Sequence, residues 1–269
     1  MRDHNLIEKF KQLIDAPQED GTKKEQEIQN FLEDNAELIP TPHRLNHQVN
    51  LGAIISKFPL GNRYITDYVY ISKSSDRWNI VFVELELPEK IIFTNAKNQV
   101  NATSKFNEAL NQVRSWQAYL NDHRQEVIKQ LEPLLVPPVM RRNQINFCFE
   151  LIYGRSYEKN SKERSQYINL ISEQSGIKIM TYDTLISYYE SDLIIPKDIM
   201  SFKQGKYHYK RLVTKPQNVF SYIGPGDLEL TTEQKNVLRD DGYEIDKWCN
   251  GEMLTHNIRF TKNTFENII

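Results

Sequence analysis

The chain has 269 residues, of which 39% are hydrophobic and 26% are charged, and its formal net charge is -2. This length suits one large domain or a main domain with a small appendage, and the composition excludes an intrinsically disordered chain. The slightly acidic balance excludes a protein that coats nucleic acid through its overall charge, although a local basic patch can still contact phosphates.

No stretch of the sequence predicts a signal peptide or a membrane span. The N-terminal residues MRDHNLIEKFKQLID interleave charged and apolar side chains, and no later segment approaches the roughly 20 apolar residues that cross a bilayer. Cys148 and Cys249 lack the spacing of metal ligands and are predicted to be reduced thiols. We therefore expect a cytoplasmic protein without a membrane partner.

Two amphipathic helices are predicted before the first strand. Apolar residues at helical spacing predict the first helix over residues 5–14, and the second begins near Lys23 and ends before Pro40. Glu25 and Gln29 are four residues apart, so they lie on the same face of the second helix.

A meander of strands follows these helices, because the hydrophobic pattern changes to a period of two residues. Strands are predicted at residues 53–58 and 64–72. The mostly apolar stretch 78–87 predicts a buried strand that Pro88 closes. This third strand is the predicted centre of the sheet.

Helices and strands alternate in the second half of the chain. A long helix is predicted to begin after Ala102, with Thr103 or Ser104 as its N-cap, and to end at about Leu120. The strand–helix–strand order that follows indicates a crossover, and therefore an α/β fold with a mixed sheet flanked by helices. The further predictions are helices at 126–131, 161–174 and 182–190 and strands at 146–153 and 177–181.

Towards the C-terminus the chain is punctuated by glycine-containing turns, at Gly224-Pro225-Gly226, Asp241-Gly242 and Asn250-Gly251. Short segments between such turns predict a small α+β appendage. We place the main domain at residues 1–214 and the appendage at residues 215–269.

Three acidic residues interrupt two strands that are otherwise apolar. Asp67 lies in the second strand, and Glu84 and Glu86 lie in the third, where residues two apart point to the same face of the sheet. Carboxylates placed together repel one another unless a cation lies between them, and Mg²⁺ or Mn²⁺ suits oxygen ligands. Such an ion assists the hydrolysis of a phosphodiester. The spacing alone leaves open that these acids line a solvated face or pair with lysines such as Lys90.

The predicted helices add polar residues that such a site can use. Glu25 can extend the shell of ligands around a metal ion, and Gln112, in the long helix, can orient a water molecule or a phosphate. The alternative is that both are ordinary surface residues.

Six segments in order carry a resemblance to a known family, the Shedu anti-phage nucleases. The resemblance covers approximately residues 25–190 and implies a core like that of the PD-(D/E)XK restriction endonucleases. It implies a DNA endonuclease of bacterial antiviral defence that depends on Mg²⁺ or Mn²⁺, forms a homo-oligomer and uses no organic cofactor. The segments are EQEIQNFLEDNAELI, ITDYVYI, VFVELELPEKIIF, ATSKFNEALNQVRSW, LIYGRS and IKIMTYDTLI.

By that resemblance, Asp67 and Glu84 take the positions of metal ligands, Glu25 takes the helical acidic position and Gln112 the helical glutamine position. The chain departs from the family pattern at Glu86, where a lysine is usual. A glutamate supplies no positive charge, but it can bind a metal ion or act as a general base, which predicts an active variant with the pattern Glu-x-Glu. Lys90 can partly replace the lysine.

A second functional interpretation follows from the same departure. If Glu86 leaves the site inactive, the chain is a catalytically silent subunit that binds DNA or senses a signal and acts through oligomeric assembly. The two interpretations differ in whether the purified protein hydrolyses DNA.

Arg155 follows a predicted strand and a glycine, so its guanidinium can reach a DNA phosphate from the end of that strand. An ion pair with an acid such as Asp183 is the alternative.

Basic and aromatic residues alternate between Lys203 and Lys215, as in a strand that lies on nucleic acid. Lys206, Lys210 and Arg211 are the candidate contacts. The alternative is an exposed edge strand whose lysines prevent aggregation.

Overall fold

A computed structural model describes residues 3–17, 23–95, 99–191, 194–216 and 218–255. The helices of these residues are α1 (His4–Asp15), α2 (Lys24–Asp34), α3 (Ser104–Asp122), α4 (Arg124–Leu131), α5 (Lys162–Ser175), α6 (Tyr182–Ser191), α7 (Val219–Tyr222), α8 (Thr232–Asp240) and α9 (Ile245–Cys249). The strands are β1 (Ala53–Leu60), β2 (Tyr64–Lys73), β3 (Arg77–Leu85), β4 (Gln144–Ile152), β5 (Ile177–Met180), β6 (Asp198–Lys203), β7 (Lys206–Arg211) and β8 (Leu228–Glu229).

The strands form one mixed sheet with the order β5-β4-β3-β2-β1-β6-β7-β8. β1, β2 and β3 are an antiparallel meander, whereas β4 and β5 join β3 in parallel through helical crossovers. β6 pairs in parallel with β1 and extends the sheet on the other side. The predicted α/β fold with a mixed sheet flanked by helices is confirmed, and β3 lies inside the sheet as expected.

Apolar side chains cover both faces of the sheet, because successive residues of a strand point in opposite directions. Val69 and Phe82 point to the face that α3 covers, where Trp116 is fully buried. Tyr68 and Val83 point to the other face, which α1, α2 and α6 cover. Asp67 and Glu84, which are buried on these strands, therefore lie between packed layers.

Most predicted elements agree with the structure to within a few residues, and Thr103 is confirmed as the N-cap of α3, where its hydroxyl accepts a hydrogen bond from Phe106 N. β3 is shorter than predicted, since it ends at Leu85 instead of residue 87. Glu86 N still donates to Ile152 O at 2.9 Å, after which the chain turns. Glu86 thus lies just beyond the strand that holds Glu84.

The described residues beyond 214 attach to the main sheet. Leu228 of β8 pairs with Tyr207 of β7, and Trp248 of α9 is buried in the core that α3 also contacts. β7 therefore has a neighbour on each side, and the alternative of an edge strand is wrong over Tyr207 and His208. The domain boundary at 214 stays a prediction, and residues 256–269 of the predicted appendage lie outside the described residues.

A membrane-spanning helix is absent from the described part of the chain, where no helix combines the necessary length and apolar character.

Gly154 occupies a position where the backbone leaves no room for a side chain. It follows β4 with φ of 61°, a left-handed conformation, and a Cβ atom at this position would lie 2.6 Å from Lys90 O. Its own carbonyl accepts a hydrogen bond from Tyr182 N at 3.1 Å. Gly154 therefore holds the end of β4, the start of α6 and the segment after β3 together.

We expect Gly154→Ala to lower the free energy of unfolding by about 2 kcal/mol or more, because the methyl group adds a backbone clash to an unfavourable φ. Gly226→Ala is the matched control, since a Cβ atom there meets no atom within 4 Å. Equilibrium unfolding in urea measures both variants. Equal midpoints for the two variants would contradict this role of Gly154.

Candidate active site

Asp67 and Glu84 are neighbours on adjacent strands and are both buried, with 5% and 7% of their surface exposed. β2 and β3 pair Tyr68 with Val83, so the next residues in register, Asp67 and Glu84, face each other. Asp67 Oδ2 accepts a hydrogen bond from Leu85 N at 2.7 Å, which fixes the orientation of its carboxyl group. The two acids that the sequence placed together are close in space.

The proximity of these two carboxyl groups changes the chemistry of Glu84. Burial, followed by the negative charges of Asp67 and Glu86, raises the pKa of Glu84 to about 10. A hydrogen bond between the carboxyl groups of Glu84 and Asp67 adds to the shift. At neutral pH Glu84 therefore keeps its proton.

Helix α3 brings Gln112 to this pair. Its buried side includes Leu110, Val113 and Trp116, and these contacts set the rotation of the helix against the sheet. Gln112 Nε2 consequently donates a hydrogen bond to Glu84 Oε1. The predicted glutamine is thus in contact with one of the two predicted metal ligands.

Glu25, the predicted helical acid, stands near the same pair from the first turn of α2. Loss of hydration, followed by the charge of Asp67, raises the pKa of Glu25 above its ordinary value, and Lys57 and Glu86 also act on it. The structure therefore brings Glu25, Asp67, Glu84 and Gln112 into one neighbourhood.

Lys57 is a member of the site that sequence reasoning missed. Lys57 lies on β1, the strand that pairs with β2, and its Nζ lies 2.5 Å from Asp67 Oδ1. Burial by itself lowers the pKa of Lys57, but Asp67 outweighs this effect, and the pKa is raised from its ordinary value. The available signal was a lysine inside the otherwise mostly apolar strand AIISKFPL.

Glu86 has different partners from Glu84. Its carboxylate forms an ion pair with Lys90, four residues later, and its backbone carbonyl accepts a hydrogen bond from Tyr182 Oη at 2.7 Å. Pairing with Lys90 was the alternative left open for these acids, and it is observed for Glu86. Its roles as metal ligand or general base stay predictions.

The donor chemistry of the pair fits a hard divalent cation. Mg²⁺ binds through one or two carboxylates and keeps several water molecules or phosphate oxygens, which matches what Asp67 and Glu84 offer. Within the described ranges, no three histidine, cysteine or acidic side chains are arranged together to hold a metal ion. Asp67 and Glu84 are the two candidate ligands that lie side by side, and Glu86 as a third ligand stays a prediction.

The family comparison assigns these residues to a known group of proteins. The model of the family described as Shedu protein SduA, C-terminal, matches residues 22–186, which is more than half of the chain. The chain belongs to the Shedu family. No curated protein matches it significantly. Membership implies a role in antiphage defence, and the matched Shedu region contains all five predicted catalytic residues, which are Glu25, Asp67, Glu84, Glu86 and Gln112.

Arg155 of this Shedu protein lies in an ion-pair network. Its guanidinium contacts Asp183 through two nitrogens, at 3.0–3.2 Å, and also pairs with Asp15 of α1. Asp183 additionally accepts a hydrogen bond from Ser156 N. The alternative of an ion pair with Asp183 is confirmed, and a contact between Arg155 and DNA stays a prediction.

The basic residues of β7 also have acidic neighbours on α2. Lys210 forms an ion pair with Glu33, and Arg211 donates to Glu33 O at 3.2 Å. Lys206 begins the strand and is partly exposed. These three residues stay predicted contacts to nucleic acid.

The raised pKa of Glu84 predicts how stability depends on pH. A carboxyl group whose pKa is higher in the folded state than in the unfolded state contributes its full stabilisation below the unfolded pKa, about 4.3 for a glutamate. That contribution is lost as the pH rises towards the folded pKa of Glu84, about 10. In EDTA at pH 8, we therefore expect Glu84→Gln to be more stable than the wild type by about 2 kcal/mol, with little difference at pH 4.

Thermal unfolding at several pH values measures this effect, and Glu229→Gln, an exposed strand residue, is the matched control. If the stability of the wild type and that of Glu84→Gln change with pH by the same amount between pH 4 and pH 8, Glu84 does not hold the proton.

Proposed function

We propose that this protein is a divalent-metal-dependent DNA endonuclease that nicks or cleaves phosphodiester bonds in antiphage defence. The observation that carries the proposal is the buried pair of Asp67 and Glu84 on adjacent strands, which are close enough for the charge of Asp67 to raise the pKa of Glu84. Two neighbouring carboxyl groups of this kind can share a divalent cation, which takes the place of the proton on Glu84.

Asp67 and Glu84 would hold Mg²⁺ or Mn²⁺, which when bound polarises a phosphate oxygen and lowers the pKa of a water molecule. Leu85 N holds the orientation of Asp67, and Gln112 Nε2 holds that of Glu84. Both carboxylates are thereby fixed before the substrate arrives, which lowers the cost of reorganisation during the reaction.

Glu25 is the group that we assign to accept the proton of the attacking water molecule. A general base works best when its pKa lies near the working pH, and the pKa of Glu25 is raised in that direction. Glu86 is a less favourable base, because its carboxylate is already paired with Lys90.

DNA is the proposed substrate because the family is associated with defence nucleases and because Lys57 and Lys90 place positive charge beside the acids. A phosphodiester backbone supplies the oxygen ligands that a cation with two protein carboxylates still lacks. Assembly into a homo-oligomer is also part of the proposal, and it derives from the Shedu resemblance.

Supercoiled plasmid incubated with Mg²⁺ or Mn²⁺ tests the proposal. We expect nicking by the wild type and by Glu229→Gln, loss of nicking in EDTA, and a rate reduced by about 100-fold or more in Glu84→Gln, which keeps the shape of the side chain but removes its charge. Equal rates for wild type and Glu84→Gln would assign the activity to another site or to a contaminant.

A catalytically silent subunit that binds DNA is the second candidate, and Glu86 is the observation that favours it. In the position where the family pattern has a lysine, Glu86 supplies no positive charge and forms an ion pair with Lys90. For this candidate we expect an inactive wild type and a Glu86→Lys variant that gains metal-dependent nicking. An active wild type would exclude it.

A further inference from the structure

We propose that Lys57 of β1 supplies positive charge to the scissile phosphate. In the family pattern, a lysine at the position of Glu86 supplies this charge. This role presupposes the proposed hydrolysis of DNA. It also predicts a contact between Lys57 and the DNA backbone that is measurable without hydrolysis.

The ion pair between Lys57 and Asp67 places the ammonium group beside a proposed metal ligand. Nζ of Lys57 lies 2.5 Å from Asp67 Oδ1, and Lys57 is 42% exposed whereas the Asp67 side chain is 7% exposed. The lysine therefore covers Asp67 from the solvent side. A phosphate that approaches Asp67 from solvent meets Lys57 first.

The backbone of β1 is distorted at Lys57 in a way that serves this placement. Ser56 pairs with Tyr68 and Phe58 pairs with Thr66, so Lys57 stands opposite Asp67. Its φ of 51° is left-handed. Among the described residues, Lys57 is the non-glycine residue that has a positive φ within a strand. This conformation costs about 1–2 kcal/mol in a residue with a Cβ atom, and such strain persists mainly where it positions a functional group.

Lys57 can leave Asp67 when another cation neutralises that carboxylate. An ammonium on a flexible four-carbon stem is a mobile point charge, and a small rotation of the side chain turns Nζ towards a non-bridging phosphate oxygen.

The other lysines near the site are less suited to this role. Lys90 is paired with Glu86 and lies beyond the end of β3, and Lys24 is paired with Glu89. Each of them neutralises an acid outside the pair of Asp67 and Glu84. Lys57 is bonded to one of the two carboxylates that would hold the cation.

Binding of a short DNA duplex tests the phosphate contact. The measurement is made in Ca²⁺ in place of Mg²⁺ so that binding is measured without hydrolysis. We expect Lys57→Met to weaken binding about fivefold and to reduce the slope of log K against log salt concentration by about one, because one phosphate contact is lost. Lys247→Met is the matched control, since Lys247 forms an ion pair with Glu244 at 2.7 Å at an exposed position outside the candidate DNA contacts. Unchanged affinity and slope in Lys57→Met would overturn the proposal, whether or not the wild type cleaves DNA.

Lys57→Gln is the second variant in the same measurement, because it keeps a hydrogen-bond donor for Asp67 while it removes the charge. It should show the same weakened binding and reduced slope if the charge is what the phosphate recognises. Wild-type binding by a folded Lys57→Gln would equally overturn the proposal.

Plasmid nicking and Mn²⁺ titration separate this role from simple competition with the metal ion. We expect Lys57→Met to nick about 100-fold more slowly than the wild type while its affinity for Mn²⁺, measured by calorimetry, is unchanged or tighter. Adding Glu86→Lys to Lys57→Met should restore nicking, since the charge then returns from the segment that follows β3. Nicking by Lys57→Met at the wild-type rate would overturn the proposal, whereas an inactive wild type with Lys57-dependent DNA binding would overturn only the proposed hydrolysis.

Discussion

Two carboxyl groups buried side by side on neighbouring strands are the constraint around which the rest of this site is arranged. Taking an acid out of water and placing it beside another acid disfavours ionisation of both, so the pair must acquire positive charge or keep a proton. In this protein Glu84 keeps its proton and Lys57 neutralises Asp67. Under the proposed function a divalent cation replaces both, and the arrangement that is unfavourable by itself becomes the metal site.

The same constraint connects the stability of the fold to its proposed activity. A sheet packed on both faces by helices excludes water from Asp67 and Glu84, and the low polarity that raises the pKa of Glu84 also strengthens its attraction to a cation. Gln112 and Leu85 N then hold the carboxylates in fixed orientations. Binding a cation should therefore release a proton and stabilise the fold, as is general for metal sites in proteins.

Local patterns in the sequence were sufficient to predict the elements that carry the acids. The period of two residues predicted β1 and β2, and a mostly apolar run closed by Pro88 predicted β3. Helical spacing with a threonine cap predicted α3 and hence the placement of Gln112. Lys57 was not predictable in the same way, because its partner is set by the pairing of β1 with β2 and by a left-handed backbone that no local pattern indicates. The ion pair of Arg155 with Asp15 likewise joins residues that only the tertiary fold brings together.

The central claim is that Asp67 and Glu84 bind one divalent cation, and a crystal structure of the protein grown with Mn²⁺ tests it most directly. The account predicts one anomalous difference peak in contact with oxygens of both carboxylates, with Lys57 turned away from Asp67. A map without a peak between these two residues, in which Lys57 still contacts Asp67, would contradict the account.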